Sequence, residues 1–326
     1  MNKRSFLSAM AQAALATITL AAAPLATAQA WPSKPVRLVV GYTAGGASDT
    51  VGRLIATELQ AMNGQPFVVD NKPGVGGMLG MQAVAKAPPD GYTIGVAVSG
   101  TMVTGPHLQK NTPYDPLTAF APVAMVAKAP MVLLASPALP EPTVATIVRQ
   151  AREQPGSMMF ASGAQAFELA MQLFNAKAGV KLGSVPYPGG AQASIDVMSG
   201  RVPVMVDTIG AQLANVRAGK LKAVAVLDSK RSRVLPDVPT VAEAGVPGYE
   251  AVGWLGIVAP KGTPPEIVAR LSSQLAQVMA MPAIADKLTT LGFEPDPSTP
   301  QAFDQAIRTE HAKWGEVVRQ AGITPQ

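Results

Sequence analysis

The chain has 326 residues, no cysteine, a formal net charge of +5, and a composition that is 48% hydrophobic and 14% charged. The missing cysteines exclude disulfides, thiolate nucleophiles and cysteine metal clusters. A charge this small and scattered excludes a nucleic-acid footprint, and the length suits two ordinary domains.

Residues 1–30 read as a secretory signal. Lys3 and Arg4 precede an Ala/Leu-rich run through Leu20 to Ala23, and Ala28-Gln29-Ala30 offers a small-x-small cleavage site. Gln12, Pro24 and the weak apolarity of alanine disfavour a membrane anchor. Cleavage after Ala30 would leave a chain beginning at Trp31 in the periplasm, with 24 basic against 21 acidic residues. No second hydrophobic stretch is long enough to span a bilayer.

Val36 to Val40 is a compact β-branched run that reads as a buried strand. Gly41-Tyr42-Thr43-Ala44-Gly45-Gly46-Ala47-Ser48-Asp49 follows, and Val51, Leu54, Ile55, Leu59 and Met62 then recur at helical spacing. Ser48 or Asp49 is the expected N-cap and Gly64 the stop. Glycines at the turn let backbone N–H groups point outward, and a helix N-terminus carries unsatisfied donors and partial positive charge. This segment predicts an anion site that needs no Arg or Lys. Asp49, being negative, is expected to cap the helix or order the loop.

The pattern repeats. Strand Phe67–Asp70 leads to the loop Asn71 to Gly77, including Gly76, and to a helix through Met81, Val84 and Ala85; strand Thr93–Val98 ends in Ser99-Gly100-Thr101. Strands alternating with helices imply parallel pairing, so all three loops fall on the carboxyl edge of one sheet, where open α/β sheets bind ligands. Residues 102–119 are Pro-rich and read as irregular. Strands Phe120–Lys128 and Met131–Ser136, broken by Ala129-Pro130, read as a crossing between domains.

A second α/β series follows. Helix Thr143–Arg152 precedes strand Met158–Phe160 and the loop Ala161-Ser162-Gly163-Ala164. Strand Gly183–Val185 precedes Pro186-Tyr187-Pro188-Gly189-Gly190-Ala191 and a helix from Gln192 to Ser199. Strand Val204–Val206 meets Asp207-Thr208, and Ala223–Leu227 is a further strand. Thr240 and Glu243 have capping-box spacing. Val252–Val258 reads as a strand crossing back, with Trp254 a packing residue near the hinge. Thr263-Pro264-Pro265-Glu266 reads as a helix start with Thr263 as cap. Thr299-Pro300 opens a last helix with Trp314 in its core face. Both late helices are expected to cover the first sheet. The expected architecture is two α/β domains, residues 31–128 plus 253–326 and residues 129–252, joined by two crossing strands around a cleft.

Recognised catalytic patterns are absent. Gly74-Val75-Gly76 lacks the third glycine of a dinucleotide fingerprint, since position 79 is Leu, and no glycine loop continues into Gly-Lys-Ser/Thr. There is no G-x-S-x-G elbow, and neither His107 nor His311 sits in a triad context; both read as surface or loop residues. No cofactor and no metal are expected. Lys230-Arg231-Ser232-Arg233 reads as a solvated loop.

Several segments together resemble the Bug-type extracytoplasmic solute receptors of tripartite tricarboxylate transporters. They are Trp31-Pro32-Ser33-Lys34-Pro35, Ala44-Gly45-Gly46 with Asp49, Asn71-Lys72-Pro73-Gly74-Val75-Gly76-Gly77, Asp90-Gly91-Tyr92-Thr93, Val185-Pro186-Tyr187 with Gly189-Gly190, Pro236 to Gly245, and Trp254-Leu255-Gly256 with Ala259-Pro260. The resemblance implies a type II-like periplasmic-binding-protein fold whose domains close on a small organic carboxylate. It places Tyr42, Thr43, Ala44, Gly45, Gly46, Ser48, Asp49, Gly76 and Gly77 at the carboxylate, with Ser99, Gly100 and Thr101 completing the first wall. Ser162, Ala164, Tyr187, Gly189, Gly190, Ala191, Asp207 and Thr208 would form the second wall and set selectivity. Glu168-Leu169 stands where relatives often carry His-Leu, so their selectivity does not transfer. The implied partners are the solute and membrane transporter subunits, with the receptor a monomer. A sensor docking on a membrane signalling protein and a secreted carboxylate-based enzyme are the alternatives.

Overall fold

The structure is a computed structural model and describes residues 31–325, so the signal reading for residues 1–30 lies outside the described residues. From Lys34 onward the chain forms one compact unit containing two sheets.

The first sheet follows the β-branched runs. β1 (Val36–Val40) pairs in parallel with β2 (Phe67–Asn71) and with β3 (Thr93–Val98); with β4 (Phe120–Ala129), β10 (Gly253–Pro260) and β11 (Glu294–Pro295) the order is β11-β4-β10-β3-β1-β2. Helix α1 (Ala47–Asn63) connects β1 to β2, and α2 (Met78–Ala85) connects β2 to β3. The α1 stripe is as expected: Val51, Ile55 and Leu59 are buried, and Gly64 ends the helix in the left-handed region, its N–H bonded to Gln60 O. The cap differs. Gly46, in extended conformation, precedes the first turn without a side-chain cap, and Asp49 stands a turn inside the helix.

The segment after β3 is more regular than its prolines and glycines suggest. A π-helical turn at Gly100–Thr104 runs into α3 (Gly105–Leu108), burying Met102 and Val103. β4 (Phe120–Ala129) then ends the first pass, and Pro130 separates it from β5 (Met131–Ala135) in the second sheet. That crossing is where Ala129-Pro130 placed it, where Pro130 has no N–H to extend the β4 ladder.

The second sheet has the order β7-β6-β8-β5-β9, formed by β6 (Met159–Ser162), β7 (Gly183–Pro186), β8 (Val204–Thr208) and β9 (Lys222–Val226) around β5. β6 pairs in parallel with β7 and β8, so their carboxyl ends share an edge. Helices α4 (Val144–Glu153), α5 (Gln165–Ala178), α6 (Gly190–Met198) and α7 (Ile209–Arg217) connect and follow these strands. Several boundaries move by one or two residues: β6 runs to Ser162, β7 to Pro186 and β8 to Thr208, β9 spans Lys222–Val226 rather than Ala223–Leu227, and α6 begins at Gly190 rather than Gln192. Helix α7 has no counterpart in the sequence reading. The capping box at Thr240 is reciprocal: Thr240 N–H donates to Glu243 Oε2 at 2.8 Å and Glu243 N–H to Thr240 Oγ1 at 3.0 Å.

β10 (Gly253–Pro260) returns to the first sheet between β3 and β4, antiparallel to both. Helix α8 (Pro265–Met279) is preceded by Pro264 at the cap position with no side-chain cap; Thr263, one residue earlier, donates its hydroxyl to Pro260 O at 2.8 Å. Helix α9 (Pro282–Thr290) and the short β11 (Glu294–Pro295) lead to α10 (Pro300–Gln320), which Thr299 caps through the Ala302 N–H. Both α8 and α10 pack on β4, as expected. One apolar cluster joins Met81 and Val84 of the first sheet's cover to Trp254, Phe303 and Trp314 and on to Phe174 and Tyr249.

The two histidines are neither isolated nor in loops. His107 on α3 and His311 on α10 have ring centroids 4.2 Å apart, and His107 Nε2–H donates to His311 O at 2.8 Å. The basic loop is also tied in: Arg231 pairs with Glu243 at 2.8 Å, and the buried Ser232 donates to Glu294 Oε1 at 2.6 Å.

Candidate functional site

Parallel pairing of β1, β2 and β3 brings their three following loops to one edge, and the contacts there are close. A β-carbon on Gly41 would lie 2.4 Å from Gly77 O, so the two loop backbones meet directly and only glycine fits. A β-carbon on Gly77 would lie 2.9 Å from the Tyr42 ring and 3.1 Å from Thr101 Cγ2, so the three loops converge at Gly77. Gly76 and Gly77 have φ of 61° and 96°, where side chains are disfavoured.

A hydrogen-bonded network fixes the first loop. Asp49, 2% exposed, turns back to accept from Gly45 N–H at 2.8 Å through Oδ2, where Arg53 Nε also donates at 2.9 Å. Its Oδ1 accepts from Asn71 Nδ2 at 2.9 Å. Burial pushes the Asp49 carboxyl upward, but the bonds from Arg53, Gly45 and Asn71 outweigh it and hold the group below the usual carboxylate range. Asp49 therefore orders the loop. Thr43, Ala44 and Gly45 are exposed and Gly46 and Ser48 half-buried, beside the unsatisfied donors of the α1 N-terminus.

Tyr42 and the third loop are internally committed. Tyr42 Oη–H donates to Gly76 O at 2.9 Å, and burial pushes the phenol up to about 12, so it stays a donor throughout the neutral range. Thr101 is buried, and its hydroxyl donates to Val98 O at 3.0 Å. Ser99 Oγ accepts from Trp254 N–H at 3.4 Å, tying this loop to the crossing strand β10. Gly100 lies against Tyr42: its β-carbon would be 3.9 Å from Tyr42 Oη.

The residues expected in the second wall also converge. A β-carbon on Gly163 would lie 2.5 Å from Gly190 N, and one on Gly190 would lie 2.7 Å from Asp207 Oδ2. Tyr187 N–H donates to Ser162 O at 2.8 Å, while its hydroxyl donates to Asp196 Oδ2 at 2.8 Å. Ser162 is buried and donates to Ala164 O at 3.4 Å. Gly189, extended, precedes α6, and Ala191 is exposed in its first turn. Asp207 is buried under this helix start; it accepts from Thr208 N–H and Gln212 Nε2–H, each at 2.7 Å, and burial raises its pKa. Glu168 accepts from Ser184 Oγ–H at 2.5 Å and Gln172 Nε2–H at 2.8 Å.

Asn71 and Arg53 are the network members that sequence reading did not single out as site residues. Asn71 appeared there as a loop residue, and its partners lie 18, 22 and 29 positions away. The i, i+4 spacing of Asp49 and Arg53 was a usable signal for that pair. Among the described residues no group of three or more His, Asp or Glu side chains could hold a metal, and no helix is long and apolar enough to cross a membrane.

Residues 51–323 match the family described as Tripartite tricarboxylate transporter family receptor. The chain belongs to this receptor family. It is 35% identical to Protein BugT of Bordetella pertussis over 305 residues, covering 92% of this chain and 93% of the relative. Among solved structures it is similar to R. palustris Rpa4515 with adipate, at 37% identity and TM-score 0.74, covering 91% of this chain and all of that one. It is similar also to MatC (Rpa3494) from Rhodopseudomonas palustris with bound malate, at 32% identity and TM-score 0.70, covering 88% of this chain and all of that one. The family is one of receptors, and the two-sheet α/β architecture with crossing strands is also that of the structure described as periplasmic binding protein BugD, at 33% identity and TM-score 0.70, covering 91% of this chain and all of that one.

Proposed function

We propose that this receptor captures a small organic carboxylate between two lobes, residues 31–128 plus 253–326 and residues 129–252. It closes on the solute about the crossing strands and delivers it, chemically unchanged, to membrane transporter subunits. The observation that carries this reading is the convergence of three glycine-bearing loops at Gly77, beside the N-terminus of α1. Arg53, the basic side chain in that network, is already paired with Asp49 and Asn71. The attraction for an anion then comes from main-chain N–H groups and the helix end, held in place before binding. Tyr42, Thr43, Ala44, Gly45, Gly46, Ser48, Gly76, Gly77, Ser99 and Gly100 form the first wall. Ser162, Ala164, Tyr187, Gly189, Gly190 and Ala191 face it, with Asp207 and Thr208 behind them. The adipate and malate carried by the two structural relatives support a carboxylate as the ligand class. Residues 1–30 would direct export, leaving the receptor monomeric in the periplasm.

Isothermal titration with adipate, malate and a panel of aromatic and amino acids tests the ligand class. X-ray scattering with and without the binder tests closure. The expected result is saturable binding of at least one carboxylate with a smaller radius of gyration. Indifference to every carboxylate in the panel would sink the proposal.

A further inference from the structure

We propose that Asn71 is a positioning residue for anion capture, acting together with the Tyr42 hydroxyl to lock the first two glycine loops in one register. The proposal rests on the reading that these loops grip the anion. Asn71 is the last residue of β2, and its amide faces the other loop. Nδ2 donates to Tyr42 O and to Asp49 Oδ1, each at 2.9 Å, while Oδ1 accepts from Arg53 Nη2 at 3.0 Å. One side chain thus holds the backbone of the first loop, the carboxylate that orders it and the guanidinium that pins that carboxylate. In the opposite direction Tyr42, from the first loop, donates to Gly76 O of the second at 2.9 Å. Both donor hydrogens of the amide are engaged, so Asn71 acts through the loops rather than on the solute.

The loops need this because their conformation is intrinsically permissive. Gly45 and Gly76 have φ of 85° and 61°, which glycine reaches as easily as many other conformations. Held together, the two loops keep one backbone orientation in the ligand-free receptor, the Gly45 N–H being spent on Asp49, which lowers the ordering cost at binding. An apolar side chain at 71 would leave Asp49 Oδ1 and Tyr42 O without these bonds, and an acidic one would set like charge against Asp49.

Asn71→Ala, Tyr42→Phe and the double variant, titrated with adipate and malate, test the idea. Tyr42→Phe is expected to weaken binding about tenfold, the scale of one lost hydrogen bond, and Asn71→Ala, which removes three, by at least as much. The double variant should lose less than the product of the two, because either change releases the same register. A purely structural role would lower the ligand-free melting temperature and leave the affinity of the folded protein unchanged. Folded single variants that bind like the parent, or losses that multiply, would overturn the proposal. Amide exchange of ligand-free Tyr42→Phe reads the coupling separately. Residues 43–46, which are not the lost hydroxyl's bonding partner, should exchange faster, and unchanged rates there would also overturn it. If the parent binds no carboxylate while this exchange result holds, the proposed function fails and the loop coupling stands.

Discussion

Asp49 is a buried acid that remains ionised because three donors surround it, and that has a consequence in acid. Its pKa lies below the ordinary value, so the folded state favours the carboxylate. The stabilisation is present above the unfolded value of about 3.9 and is lost as pH falls through the depressed folded value. Asp49→Ala is expected to cost about 1–3 kcal/mol at pH 7, the penalty of leaving Gly45 N–H, Arg53 and Asn71 short of a partner. Urea denaturation of both proteins from pH 7 down to pH 3 checks it: the gap should narrow in acid. At this scale the sequence was legible where chemistry is local. The structural role of Asp49 followed from its charge and its place near a helix start. The role of Asn71 did not, because an Asn before Lys-Pro-Gly reads as turn chemistry and its function lies in contacts across β1 and β2.

Elements were legible where burial repeats along the chain. β1 and β3 are runs of buried apolar residues, and α1 shows a clean stripe. Helix α7 buries only Ile209 and Gln212, and α9 only Ile284 and Leu288. Two buried positions make no period, so tertiary packing decides those helices. The turn at Gly100–Thr104 buries four consecutive residues, Thr101 to Thr104, a run too short to show a period, and Gly100, Gly105 and Pro106 around it read as loop signals. Between elements, Glu310 on α10 accepts from Trp254 Nε1–H on β10 at 3.1 Å, and burial raises its pKa. A raised carboxyl disfavours the folded state as pH climbs from the unfolded value through the folded one. Glu310→Gln keeps an acceptor and removes the charge, so its stability relative to the parent should improve over that interval and then level off. Glu310→Ala should be less stable than Glu310→Gln by about 1–3 kcal/mol, because Trp254 Nε1–H loses its partner. Thermal melts of the three proteins between pH 4 and pH 8 measure both effects.

For the whole molecule, the α/β class and the crossing at Ala129-Pro130 were legible, since proline and a change of strand partner coincide there. The meeting of His107 with His311 was not, because it depends on how α10 settles against the third loop's helical turns. Burial first, and His107 second, lower the His311 pKa, while Asp115 opposes them. Neutral His311 suits the fold, so its contribution holds above about pH 6.5 and declines as pH drops below that value. The parent should therefore lose more melting temperature than His311→Gln between pH 7 and pH 5 in scanning calorimetry.

Gly210, at the start of α7, abuts Gly292, just before β11: a β-carbon on the former would sit 2.4 Å from the latter's Cα. Lys128 bridges Asp228 and Asp296 on the same flank, at 3.5 and 3.6 Å. Under the proposed closure this contact of bare backbone would serve as a fulcrum with almost no thickness. Each degree of rotation there would be carried outward along the lever of the sheet edges, and a methyl group at either glycine would act as a wedge.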